Sequence, residues 1–151
     1  MRSMYRLQKT SVYQHTHTLQ TMSDNADMTG PQPGHFSWNE LISTDTTASA
    51  EFYGSLFGWK TQPFGESYML FKLQPDDAMG LGGMMAAPAP GMPARWLPYV
   101  VVADVDAALA KAVELGATAL MPVMSVPDVG RITVIADPQG AVLGLHELAA
   151  K

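Results

Sequence analysis

Two Asp-to-Gly brackets constrain this chain more than any other feature. Asp45 to Gly58 encloses Ala48, Phe52, Tyr53, Leu56 and Phe57 at i, i+4, i+5, i+8 and i+9, and Asp104 to Gly116 encloses Val105, Ala108, Leu109, Ala112 and Val113 at i, i+3, i+4, i+7 and i+8. An aspartate side chain accepts from the free N–H groups of a first helical turn, and glycine adopts the left-handed conformation that ends a helix. Each bracket therefore predicts one amphipathic helix. An apolar strand precedes each helix, Phe36–Ser43 and Leu97–Ala103, and a segment rich in β-formers follows it, Lys60–Phe64 and Thr118–Val126. Each half then closes with a hairpin. Tyr68–Leu73 turns through Gln74-Pro75-Asp76-Asp77 into Ala78–Met85, and Arg131–Ala136 turns through Asp137-Pro138-Gln139-Gly140 into Ala141–Glu147. The pattern is a βαβββ unit written twice, over 36–85 and 97–148, with a proline-stiffened linker at 86–96. If both helices cover one sheet, Phe52, Leu56, Leu109 and Val113 are expected to lie over Leu41, Val100, Val102, Leu143 and Leu145.

Composition narrows the partners. The chain has 151 residues, 47% of them hydrophobic, enough to build one core. Nine basic against 14 acidic residues give a net charge of −5, with no basic cluster in the body of the chain, which argues against nucleic acid and anionic membranes as partners. The absence of cysteine excludes disulfides, thiolate metal sites and a cysteine nucleophile, and fits a cytoplasmic protein. Residues 1–33 differ in kind: Gln, Thr, Ser, His and Asn dominate without apolar periodicity, so this stretch is expected to be a flexible tail, with Met22 as an alternative start. Residues 34–151 are expected to form a single domain. Three of the basic residues, Arg2, Arg6 and Lys9, and two histidines, His15 and His17, fall in the tail.

The run Phe52-Tyr53 followed by Leu56-Phe57-Gly58-Trp59, behind the cap Asp45, resembles the opening βα unit of the vicinal-oxygen-chelate superfamily, which includes glyoxalase I, bleomycin-resistance proteins and extradiol dioxygenases. The resemblance extends over roughly residues 36–148. It implies an α+β fold in which paired βαβββ modules form a curved eight-stranded cup with helices on the outside, and it implies a homodimer. One fold hosts unrelated functions, so function has to be argued from the cup itself.

In the metal-dependent members, a His, Glu or Gln on the first and last strand of each module holds a divalent ion. Carried onto this chain, those positions read Trp38, Gly82, Leu97 and Gly144, none of which can ligate a metal. The expectation is therefore no metal and no cofactor. Strand alternation from these positions also sends Glu40, Gly80, Met84, Tyr99, Val101, Val142 and His146 to the concave face. Trp38, Glu40, Gly82, Met84, Tyr99, Gly144 and His146 are the expected ligand-binding residues, with the glycines opening space between aromatic walls. The expected function is metal-free binding of a small organic molecule in the cup. The alternative is a lyase, isomerase or dioxygenase-type enzyme, using Glu40 and His146 as an acid–base pair or holding a displaced divalent metal on Glu40, His146 and His35. A third possibility is a cup filled by its own Trp and Met side chains.

Overall fold

Both aspartates cap helices. In the computed structural model, which describes residues 30–150, the Asp45 side chain accepts from the Ala48 N–H at 2.9 Å and opens α1, Thr46–Phe57. The Asp104 side chain accepts from the Ala107 N–H at 2.9 Å and opens α2, Val105–Glu114. Gly58 ends α1 at φ 74°, in the left-handed region that a side chain would resist.

Nine strands surround these helices in the chain: β1 Phe36–Ser43, β2 Lys60–Phe64, β3 Tyr68–Lys72, β4 Gly82–Ala86, β5 Arg95–Val101, β6 Thr118–Ala119, β7 Met124–Val126, β8 Gly130–Ala136 and β9 Val142–Leu148. They form one sheet in the order β2-β3-β4-β1-β5-β9-β8-β6, with β7 also on β8. β1 runs parallel to β4, and β5 runs parallel to β9. The two opening strands β1 and β5 meet antiparallel at the centre. Each half therefore repeats the same strand order outward from the middle, as a duplicated βαβββ unit requires. The sheet curls into an open cup with both helices on its outer side, an α+β fold.

The predicted strand Thr118–Val126 is split into β6 and β7, which makes nine strands where eight were expected. Pro122 lies in the break, and a proline has no N–H to continue the ladder. β4 begins at Gly82 and not at Ala78, because the connection after β3 forms a longer loop. That loop is tied down by Lys72, whose ammonium donates to the Asp77 carbonyl at 2.7 Å, and by Asp77, whose carboxylate accepts from the Gln74 N–H at 2.8 Å. β5 starts at Arg95, two residues before the expected Leu97.

Side-chain alternation divides the core. Leu41, Phe71 and Met84 pack on the outer side with Ala50, Tyr53 and Trp59 of the first half. Val105, Ile135 and Leu145 do the same in the second half with Ala108, Leu109 and Ala112. Ile42, Leu97, Tyr99 and Val134 pack on the concave side. The expected helix contacts need correction: Leu109 packs inward, but Phe52 and Leu56 are each 58% exposed and Val113 is 51% exposed. α1 is turned so that Ser49, Ala50 and Tyr53 face the sheet. The space beneath it is already taken by aromatic rings, with Tyr53 at 5.8 Å from Phe71, 5.9 Å from Trp59 and 5.5 Å from Trp96. Small residues let the helix approach this layer, and the Ser43 and Ser49 hydroxyls bond at 2.7 Å.

Residues 30–33 of the expected tail turn into β1, followed by the Gly34 N–H, which donates to the Val101 carbonyl at 2.9 Å. The rest of that expectation, with Arg2, Arg6, Lys9, His15, His17 and Met22, lies outside the described residues. Among the described residues no helix is long and apolar enough to cross a membrane.

The phase of α1 is testable by a pair of truncations. Tyr53→Ala should cost about 2–3 kcal/mol in urea unfolding, since it removes the ring at the centre of the aromatic layer, whereas Phe52→Ala should stay within about 0.5 kcal/mol.

Candidate functional site

The polar centre of the concave face is Glu40, 9% exposed on β1, paired across the sheet with Gly83 of β4 on one side and Leu97 of β5 on the other. Its two carboxylate oxygens are held by two phenols. Tyr68 donates to Oε2 at 3.2 Å, and Tyr99 donates to Oε1 at the long distance of 3.5 Å. The Trp38 indole donates to the Tyr68 hydroxyl at 2.9 Å. An indole N–H can only donate, so the Tyr68 oxygen accepts there and its own proton goes to Glu40. The chain of bonds therefore has one direction and ends on the carboxylate. Burial raises the Glu40 carboxyl above its ordinary 4.5, and the two phenolic bonds oppose that rise. Burial, then the nearby charge of Glu40, raises both phenols, which keeps them protonated and donating.

Glycine makes this arrangement possible. Tyr99 is the cross-strand partner of Gly144, and a side chain added at Gly144 would collide with the Tyr99 ring. A side chain added at Gly83 would collide with the end of Tyr68. An aromatic ring laid across a glycine on the neighbouring strand fills the gap that the glycine leaves. The expected open space beside Trp38 at Gly144 is therefore taken by Tyr99. Trp38 itself leans over Gly80.

Two of the expected lining residues face the other way. Met84 is buried against Leu41 and Phe71 under α1, and a side chain at Gly82 would meet the Asn39 backbone with Trp96 nearby. The long loop before β4 shifts the strand parity by one residue, so Gly83 is the residue that faces the cup. His146 also stands apart from Glu40. Its Nε2 donates to the Val129 carbonyl at 3.1 Å, and its Nδ1 lies 3.0 Å from the Ser37 hydroxyl, which also reaches the Tyr99 carbonyl at 3.4 Å. The ring braces β9 against the irregular start of β1, where the register shifts between Phe36 and Trp38. The expected Glu40–His146 acid–base pair is not formed, since each residue bonds to different groups. His35 accepts from the Gln32 N–H at 3.2 Å in an exposed turn. Among the described residues no three His, Asp or Glu side chains gather as a metal site. With Gly83 in place of Gly82, the family ligand positions read Trp38, Gly83, Leu97 and Gly144, a set that does not fit a divalent ion.

Tyr68 and Arg95 belong to this face and escaped the sequence reading. Tyr68 lies two residues before Leu70, the partner of Gly83, and alternation alone places it in the cup. Arg95 is paired with Ile42 and shares the face of Leu97 and Tyr99. Its Nε is buried without a hydrogen-bond partner among the described residues.

Residues 40–146 match the family model described as a glyoxalase-like domain. CFP32 of Mycobacterium bovis, provisionally named a glyoxylase, is 37% identical over 116 residues, which cover 74% of this chain and 44% of that protein. The anthracycline biosynthesis protein DauV of a Streptomyces species is 32% identical over 140 residues, covering 78% of this chain and 48% of that protein. The chain thus spans about half the length of the curated relatives it matches. Among solved structures, a substrate complex of homoprotocatechuate 2,3-dioxygenase from Brevibacterium fuscum has a TM-score of 0.56 at 20% identity, covering 81% of this chain and 39% of that one. A Mn(II)-bound glyoxalase from Novosphingobium aromaticivorans has a TM-score of 0.55 at 18% identity, covering 80% of this chain and 42% of that one. At these identities the two structures speak to the fold alone.

Two measurements test the site. Gly144→Leu should lower stability by about 1–3 kcal/mol or more, because Tyr99 already occupies the space. The second concerns pH. A carboxyl raised above 4.5 in the folded state binds its proton more tightly there than in the unfolded chain, so its contribution is fully present below pH 4.5 and is lost as pH rises through the folded value. Glu40→Gln should remove that loss, and its gain in melting temperature over the parent should grow from pH 4.5 upward.

Proposed function

Because the chain belongs to the glyoxalase-like domain family, we propose that it uses the family's cup to bind a small organic molecule without a metal ion. The observation that carries this reading is the floor of the cup. Where metal-dependent members of the fold place an ion, this chain has Trp38, Gly83, Leu97 and Gly144, with Glu40 beside them held by Tyr68 and Tyr99. An ion needs three or four N, O or S donors with free lone pairs, and one carboxylate engaged by two phenols does not supply them. What the floor offers is recognition. Trp38 and Tyr68 are only partly buried, so aromatic surface borders the buried carboxylate at the mouth of the cup. Such a mixture of apolar walls and a few fixed polar groups suits an organic ligand. A relative named for anthracycline biosynthesis is compatible with an organic cargo. Catalysis by Glu40 and His146 lacks support, since His146 has both ring nitrogens committed to Ser37 and Val129.

The test is to purify the protein without chelator and analyse it by native mass spectrometry and elemental analysis. A small organic molecule released on denaturation, with far less than one equivalent of metal, is the expected result. Close to one equivalent of zinc, manganese or iron would overturn the proposal.

A further inference from the structure

The sheet ends at β2, and an open cleft of about 560 Å³ runs along that edge strand. Residues 59–63 line it, together with Lys72 of β3 and Pro75 of the loop that follows. It shares no residue with the Glu40 cluster, whose strand β1 is separated from β2 by β3 and β4. The antiparallel pairing of β2 with β3 sets Lys60 directly opposite Lys72. Like charges in that position share a face of the sheet and destabilise it. Lys72 is also only 8% exposed, and a lysine buried to that degree is ordinarily paired with an acid. Here its ammonium donates to the Asp77 carbonyl at 2.7 Å and reaches the Pro75 carbonyl at 3.5 Å, which leaves its third proton without an acceptor among the described residues. The Asp77 carboxylate is engaged elsewhere, by the Gln74 N–H at 2.8 Å. Among the described residues neither lysine of this pair has an ion-pair partner, whereas Lys111 and Arg131 both do.

We propose that this edge cleft is a second binding site, separate from the cup, that takes a small organic phosphate monoester with its phosphate between the Lys60 and Lys72 ammonium groups.

A phosphate monoester answers each feature of the cleft. Its dianion matches two ammonium groups in charge, and a phosphate placed between them turns one repulsion into two attractions. Three acceptor oxygens can take the unused proton of Lys72 and the protons of Lys60 together. Lysine binds phosphate as a point charge, so the pair needs no planar fork. Gln62, two residues after Lys60 on the same side of β2, adds a neutral amide donor to the cleft. The remaining volume is more than a bare phosphate fills and falls in the range of sites for small organic ligands. Trp59 and Pro63, on the other side of the strand edge, and Pro75 give the organic part apolar surface. A monoanion would leave one ammonium of the pair unmatched.

The experiment is calorimetric titration of the full chain, at low salt and mildly alkaline pH, with phenyl phosphate, benzenesulfonate and inorganic phosphate. Phenyl phosphate should bind at least about tenfold more tightly than benzenesulfonate, which has the same ring and one charge fewer, and more tightly than inorganic phosphate, which lacks the ring. Lys60 carries the mutational test, because it is exposed and Lys72 also ties down its loop. Lys60→Met should weaken phenyl phosphate about tenfold or more while the melting curve shows the variant folded. Lys60→Glu should abolish binding and raise the melting temperature of the ligand-free protein, since it sets opposite charges across the two strands. Phenyl phosphate that fails to bind, that binds no better than benzenesulfonate, or that binds Lys60→Met as tightly as the parent would overturn the inference. Inorganic phosphate binding as tightly as phenyl phosphate would overturn the assignment to a monoester and make free phosphate the ligand.

Discussion

Two tyrosine rings lying across two glycines set the interior of this cup. Tyr99 over Gly144 and Tyr68 over Gly83 come from opposite halves of the duplicated fold, and their hydroxyls converge on the carboxylate of Glu40 on the central strand β1. Neither ring would fit if the glycine beneath it carried a side chain. The consequence reaches the chemistry, because the glycines stand where metal-dependent relatives of this fold carry ligands. A buried carboxylate normally needs a cation or a metal, and bonds from neutral donors to a charged group contribute about 1.5–3 kcal/mol each against a desolvation cost of several kcal/mol. The balance leaves Glu40 easier to protonate than a free glutamate, the direction in which burial drives it.

Much of the fold was legible because its signals are local. The caps Asp45 and Asp104, the stop at Gly58 and the duplicated order of elements depend on chemistry within a few residues, and the structure follows them. The site was less legible because its determinants come from distant strands. Gly144 reads as empty space until Tyr99, 45 positions earlier, is laid over it by the parallel pairing of β5 with β9. The parity of β4 turned on the length of one loop, and a one-residue shift exchanged Gly82 and Met84 for Gly83. Phe52 and Leu56 fit a helical stripe as well as Tyr53 does, and only the aromatic layer of Trp59, Phe71 and Trp96 beneath decides which faces inward. Arg95 was passed over because it precedes the expected start of its strand.

Family membership and site chemistry carry separate weight in this chain. The match over residues 40–146 and the 37% identity to CFP32 establish a glyoxalase-like domain, but neither carries a metal centre with it. Each half brings its first and last strands side by side at the middle of the sheet, so polar groups placed on those strands meet whatever their chemistry. The scaffold supplies convergence, and the residues at the convergence supply the function.

The central proposal is that the floor of the cup, where Tyr68 and Tyr99 bond to Glu40, binds no metal ion. The most direct measurement is a carbon-13 titration of the Glu40 side-chain carboxyl, assigned by comparison with Glu40→Gln and repeated with equimolar zinc. The account predicts a midpoint above 4.5 that zinc leaves unmoved. A midpoint at or below 4.5, or one that zinc displaces, would contradict it.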